Sequence, residues 1–302
     1  MSILNIVRAT DLERETGLGK DLLRKWRSRY GFPVPFKESG SEQGYAREQV
    51  AQLRLIKRLL DGGFRPGHIV GKSHEQLEQL IPTLACNAES ALPSASTMEA
   101  LDYLKQHDLQ GLDRFLERER SRQSLTDFVE LTVAPLAVDL GKAWAKGEIA
   151  VYQEHLCTSA LVQHLFREIG SVQPKAGFPR IIFATPSEEF HVLGLLMAQA
   201  VLADHGAHCI SIGPQIPLGD LNLAARGCSA DIVAMSFSFA YPKHRIRPLL
   251  EQLRQILPEA VEIWAGGAGA ATIKRAIKGV RVFSDLREAA KALHGRVEEM
   301  AA

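Results

Sequence analysis

Ile181-Ile182-Phe183-Ala184-Thr185-Pro186-Ser187-Glu188-Glu189-Phe190-His191-Val192-Leu193-Gly194 decides how the C-terminal half folds. Four apolar residues followed by a Pro- and Ser-containing loop read as a buried strand, and the loop runs into a helical stretch near 191–205. The alternation recurs. Cys209-Ile210-Ser211-Ile212, Ile232-Val233-Ala234-Met235, Ile263-Trp264-Ala265 and Val280-Arg281-Val282-Phe283 read as strands, with helices near 218–228, 243–256, 270–277 and 286–299. Continuous apolar strands separated by helices predict a parallel sheet covered on both faces, an α/β flavodoxin-like (Rossmann-type) domain of five strands. Ligands of such sheets bind beyond the carboxyl ends of the strands, where the quoted loop, Ser236-Phe237-Ser238 and Gly266-Gly267 all fall. No GxGxxG follows the first strand, which argues against a dinucleotide site.

Within the quoted loop, the imidazole of His191 is a ligand type for transition metals. A carboxylate two residues earlier, Glu189, bonded to the other ring nitrogen would raise its basicity and fix its orientation. Gly194 would admit a large planar ligand close to the helix. The same histidine also fits a plain helix cap. With no HExxH and no second ligand nearby, a zinc hydrolase is excluded, and no acid/base pair, nucleophile triad or phosphate loop supports an enzyme.

Upstream, residues 97–171 read as four helices in a compact bundle, with Pro135 expected to kink the third. Trp144 falls at the end of the third helix, with Val151 and the pair Glu154-His155 on the fourth. Composition alone makes these a core indole and a surface pair. Pro82 to Thr97 is rich in Ala, Ser, Asn and Pro and reads as a connector.

Residues 1–74 hold 14 Lys and Arg against 8 Asp and Glu, a net +6. The rest holds 22 against 27, so a basic unit precedes an acidic one, and nucleic acid is the first partner to test for the basic part. Thr10 or Asp11 would cap a short helix through Thr16, Gly17 makes a turn, and Lys20–Tyr30 reads as a second helix with Leu18, Leu22, Leu23 and Trp26 on its buried stripe. Lys20, Arg24, Lys25, Arg27 and Arg29 would reach phosphates and base edges if that helix enters a major groove; a solvated basic helix has the same composition. Pro35 to Tyr45 has the content of a hairpin or wing, and Arg47 to Leu60 a helical pattern of Val50, Leu53, Ile56 and Leu60. The fold class is thus multidomain: a winged helix-turn-helix, a four-helix bundle and the parallel sheet. The boundaries drawn are 1–75, a linker over 76–96, 97–174 and 175–302.

With 302 residues, 46% hydrophobic and 24% charged, the chain has ordinary globular usage, and no apolar run is long enough to span a bilayer, so a cytoplasmic protein without membrane contact is expected. Cys86, Cys157, Cys209 and Cys228 form no CxxC and read as small apolar side chains.

The run Leu23 to Pro33, with Tyr45 before a helix, resembles the DNA-binding domain of MerR-family transcriptional regulators. The resemblance implies that Tyr30 and Tyr45 join the basic residues at double-stranded operator DNA, bound by more than one chain. The spacing Trp-x6-Val-x2-Glu-His at Trp144, Val151, Glu154 and His155 resembles the helical cap of cobalamin-dependent MerR-type photoreceptors of the CarH and LitR kind. There these side chains cover the upper face of the corrin and crowd the adenosyl group. Glu189-x-His191-x-x-Gly194 resembles the motif of base-off, His-on corrinoid proteins, with Glu where Asp is usual. This implies that His191 is the lower axial ligand of cobalt, that Ser236 and Ser238 lie beside the displaced nucleotide base, and that Gly266 and Gly267 line the channel for its tail. Together the resemblances imply a repressor controlled by adenosylcobalamin, assembling as a homodimer or homotetramer and released by light. Two departures stand out. Ala145 follows Trp144 where the photoreceptors carry a histidine able to take cobalt's upper position, with His155 and His164 as possible substitutes, and Glu42 precedes Tyr45 in a wing that is usually basic. A light-independent cobalamin sensor and a corrinoid methyl carrier remain as alternatives.

Overall fold

The computed structural model describes residues 6–36, 44–61, 64, 66–78, 80, 95–238 and 241–301. The tip of the expected wing, Glu42 included, and most of the expected linker lie outside the described residues, as does Cys86. The chain divides into two compact units, Met1–Leu92 with Val138–Leu156, and Pro93–Ala137 with Cys157–Ala302, which do not follow the boundaries drawn from the sequence.

In the first unit, β1 (Ile6–Arg8) leads into α1 (Ala9–Thr16), followed by α2 (Lys20–Tyr30). Gly17 at φ 68° and Gly31 at φ 70° end the two helices in the left-handed conformation that glycine adopts at least cost, their N–H groups bonding to the carbonyls of Glu13 and Arg27. Thr10 and Asp11 lie inside the first turn of α1, and Arg8 precedes it without a side-chain cap bond. Leu12, Leu18, Leu23 and Trp26 pack with Val50, Leu53 and Ile56 of α3 (Arg47–Asp61). Leu22, expected on the buried stripe, is 37% exposed, because the face that meets α3 is defined by Leu23 and Trp26, three residues apart. β2 (Gly44–Ala46) pairs antiparallel with β1, Val7 opposite Tyr45. Two short helices, α4 (Pro66–Ile69) and α5 (His74–Glu78), follow α3. Arg54 of α3 donates to the carbonyl of Glu15 at 3.0 Å and to its carboxylate at 2.9 Å, tying α1 to α3.

The four helices expected between 97 and 171 are present as α6 (Ala95–Lys105), α7 (Leu109–Ser121), a third composed of α8 (Leu125–Asp127), a π-helix (Phe128–Val133) and α9 (Ala134–Lys146), and α10 (Val151–Ser171). The chain prepares for Pro135 by widening: the N–H of Ala134 reaches the carbonyl of Val129, five residues back. A ring that lacks N–H and crowds the preceding turn is accommodated by that wider winding.

The second unit carries the sheet. β3 (Arg180–Pro186), α11 (Leu193–Asp204), β4 (His208–Ile216), α12 (Leu218–Gly227), β5 (Ile232–Ser236), α13 (Lys243–Ile256), β6 (Glu262–Gly266), β7 (Val280–Val282) and α14 (Leu286–Ala301) alternate along the chain. The strands are parallel in the order β4-β3-β5-β6-β7. Side chains alternate as the pleat requires: Ile181 and Phe183 join Leu195, Leu202 and Leu293 under α11 and α14, while Ile182 and Ala184 join Leu221, Ile246 and Leu250 under α12 and α13. The helix expected over 270–277 is a single 3-10 turn, Ala270–Thr272. Ile277 is instead paired with Val280 in a bridge and buried in the core, which draws the chain out of helical geometry. Thr126 donates from its N–H and hydroxyl to the Asp204 carboxylate, at 3.0 and 2.7 Å, fastening the start of the third bundle helix to the end of α11.

Candidate functional site

β3 and β5 are adjacent, yet the helices that follow them, α11 and α13, cover opposite faces of the sheet. Their outgoing loops diverge, leaving the crevice at which open α/β sheets bind ligands. Glu189, His191 and Ser238 meet there. Glu189 is only 1% exposed, and its carboxylate accepts four hydrogen bonds: from the N–H and Nδ1 of His191 at 3.0 and 2.8 Å, and from the N–H and Oγ of Ser238 at 2.8 and 2.7 Å. Burial, the largest single influence, pushes this carboxyl up, but the bonds from His191 and Ser238 together outweigh it and hold it below the ordinary carboxylate range. A buried anion at Nδ1 selects the tautomer that carries its proton there, leaving Nε2 the basic nitrogen. The His191 side chain is 57% exposed, so the ring is both oriented and accessible.

The loop that carries it is braced. Glu188 holds a left-handed φ of 71° and pairs with Arg245 near the start of α13. The Thr185 hydroxyl donates to the Glu189 carbonyl at 2.7 Å and accepts from the N–H of Gln215 at 3.0 Å. Gly194 lies beside Ser236, whose Oγ would be 3.5 Å from a Cβ at that position, an ordinary contact. Ser236 is buried at the end of β5, opposite Gly266 of β6. A Cβ on Gly266 would meet open space, whereas Gly267, at φ 89°, lies so close to the Phe237 carbonyl that no side chain fits. Gly269 is equally confined, against the Ser238 carbonyl. Sequence reading missed Thr185, Arg245 and Gly269; only Gly269 left a trace, as the third glycine of Gly266-Gly267-Ala268-Gly269.

Among the described residues no group of three or more His, Cys, Asp or Glu side chains could enclose a bare metal ion. One oriented imidazole suits a metal whose other positions are filled by its own macrocycle, and on that ground the donor set fits a corrin-held cobalt. Cys157 is buried, and burial pushes the Cys209 thiol up to about 12, which leaves neither a ready thiolate ligand.

In the first unit, Trp144 lies in the last turn of α9, and its carbonyl accepts from the N–H of Gly147 at 2.9 Å. The indole Nε1 is buried without a hydrogen-bond acceptor among the described residues. Val151 opens α10 and is half-buried; His155 bonds through Nδ1 to Glu154 at 2.8 Å and is exposed. The side chain of Ala145 is outside the described set. In the second unit, His164 is buried against Asp113 at 2.6 Å, which occupies it structurally and removes it as a substitute for the missing histidine.

On α2, Lys20, Arg24, Lys25 and Arg29 are exposed and Arg27 half-buried. Arg24 pairs with Asp21 at 3.0 Å, and Arg29 lies over the half-buried Tyr30 ring. Tyr45 is placed differently from these, 7% exposed within the core of the unit.

Residues 7–74 match the model of the MerR HTH family regulatory protein, and residues 99–165 that of the B12 binding domain. The chain is 28% identical to the HTH-type transcriptional repressor CarH of Myxococcus xanthus over 84% of its own length and 86% of that protein's. It is 27% identical to the repressor CarA of the same organism over 90% of each. Among solved structures it aligns with the Methanosarcina barkeri monomethylamine corrinoid protein at 17% identity, over 65% of this chain and 96% of the other, with a TM-score of 0.46. A segment that matches the MerR HTH family thus precedes one that matches the B12 binding domain, in a chain similar to these two repressors over most of its length.

Proposed function

We propose that the protein is a transcriptional repressor that binds adenosylcobalamin and releases its operator on illumination. The observation that carries this is the buried Glu189 carboxylate, which orients an exposed His191 at the crevice between β3 and β5. In this reading His191 would hold cobalt through Nε2, Gly194 would admit the cofactor close to the helix, Ser236 and Ser238 would lie beside the displaced nucleotide base, Gly266 and Gly267 would line the channel for its tail, and Trp144, Val151, Glu154 and His155 would crowd the adenosyl group. When bound, adenosylcobalamin supplies a cobalt–carbon bond that light breaks. The N–H of Trp144, buried without an acceptor among the described residues, supports the assignment, because such a donor is costly unless a ligand completes it.

The basic face of α2 contacts double-stranded DNA in the cytoplasm, Lys20, Arg24, Lys25, Arg27 and Arg29 releasing counterions from phosphates. One such unit reads one half-site, so homodimers or homotetramers multiply weak contacts into tight binding. Control requires that the cofactor bind the assembled state more tightly than the separated chains, since equal affinity shifts nothing. Size-exclusion chromatography with absorbance detection tests the proposal. Adenosylcobalamin should produce a larger, red species that shrinks after green light, and a species of constant size throughout overturns it.

A second reading, cobalamin sensing without light, is favoured by Ala145, which cannot ligate a metal, and by the commitment of His164 to Asp113. It is distinguished by assembly that responds to the cofactor but not to illumination.

A further inference from the structure

We infer that Thr185 is the positioning residue of the cobalt-binding loop, acting through Glu189 on His191; the inference rests on the proposed ligation by His191. Thr185 sits at the last stretch of β3, fully buried, where the register with β4 slips: Phe183 faces Ser211, Ala184 faces Gly213 and Pro186 faces Ile216. The extra β4 residues leave the N–H of Gln215, itself at a left-handed φ of 60°, to be satisfied by the Thr185 hydroxyl rather than by a neighbouring backbone. That hydroxyl then gives its own proton to the carbonyl of Glu189. One side chain therefore joins the edge strand to the residue whose carboxylate holds both His191 and Ser238. The conformation it pins is a strained one, because Glu188, immediately before Glu189, also lies in the left-handed region. Without the hydroxyl, the N–H of Gln215 and the carbonyl of the buried Glu189 lose this shared partner, and the backbone that sets the depth at which the Glu189 side chain meets the ring is no longer pinned there.

Thr185→Val keeps the branched shape and deletes the hydroxyl; Thr185→Ser keeps the hydroxyl, and Thr185→Ala is a second deletion should the valine variant fold poorly. In the cofactor-free protein, amide exchange over residues 187–191 and at Gln215 should quicken at least tenfold in the two deletion variants and stay at the wild-type rate in Thr185→Ser. Loaded with hydroxocobalamin, the deletion variants should bind about tenfold more weakly, with cobalt bands displaced toward those of His191→Ala, while Thr185→Ser keeps wild-type affinity and bands. A deletion variant with wild-type exchange and bands, when His191→Ala shifts the bands, overturns the role of Thr185 alone. Unshifted bands in His191→Ala overturn the ligation and this inference with it.

Discussion

Glu189 and Ser238, which follow different strands of the sheet, are joined by two hydrogen bonds at 2.8 and 2.7 Å onto one carboxylate oxygen, while the other oxygen holds His191. A single buried anion thus sets the spacing of the two loops that flank the crevice and the tautomer of the ring between them.

Glu189→Gln should therefore weaken cobalamin binding by about tenfold to a hundredfold, the usual cost of losing the partner of a metal-bound histidine. An amide brings a donor where four donors already converge, so the cofactor-free protein should also lose about 1–3 kcal/mol of stability. Equilibrium dialysis and denaturant titration measure the two effects, and unchanged values for both contradict the assignment.

Trp144→Phe keeps an aromatic ring and removes the N–H that finds no acceptor among the described residues. Adenosylcobalamin affinity should fall about fivefold to tenfold, the worth of one hydrogen bond of about 1 kcal/mol or slightly more. Equal affinity of the two proteins, read from absorbance titrations, would show that the indole nitrogen does not meet the cofactor.

Lys25→Ala removes an exposed cation from α2. Operator affinity should drop for all sequences alike, and the slope of log affinity against log salt should shrink by about 1. Tyr45→Ala should behave differently: its ring is in the core, so thermal unfolding should reveal a loss of about 3 kcal/mol. Gel shifts over a salt series, with melting curves alongside, separate the two variants.

Glu99 accepts from both terminal nitrogens of Arg118, at 3.0 and 2.7 Å, joining α6 to α7. The hydrogen bond from Arg118 is the main reason its carboxyl lies below the ordinary range. A carboxyl lowered on folding stabilises the protein above its unfolded pKa of about 4.3, and that contribution disappears as the pH falls through the lower folded value. The melting temperatures of wild type and Glu99→Gln should differ at pH 7 and converge toward pH 3. A difference independent of pH would contradict this.

The sheet was legible because its strands are continuous apolar runs broken by Pro, Gly and Ser, as at Ile181–Ala184 followed by Thr185-Pro186. All five expected strands form, and the helices that cover them begin and end close to the expected residues. The 270–277 stretch misled because Ile273 and Ile277 have helical spacing, while their burial comes from packing against distant strands. Leu22 misled for a related reason: on a short helix, neighbouring positions look equally apolar until the partner helix chooses between them.

Local pattern alone determined the modules, their order, and the pairing of Glu189 with His191, since a carboxylate and an imidazole two residues apart in a loop lie within reach of each other whatever surrounds them. Folding decided the rest. Ser238 became the second partner of that carboxylate only when β3 and β5 were laid side by side, 49 residues of chain apart, and Thr185 found Gln215 only across a slipped register. His164 was a possible substitute for the missing histidine until burial gave it to Asp113. Hydrogen-bond partners of buried groups are fixed by which surfaces meet, and that information resides in the packed chain rather than in any short run of residues.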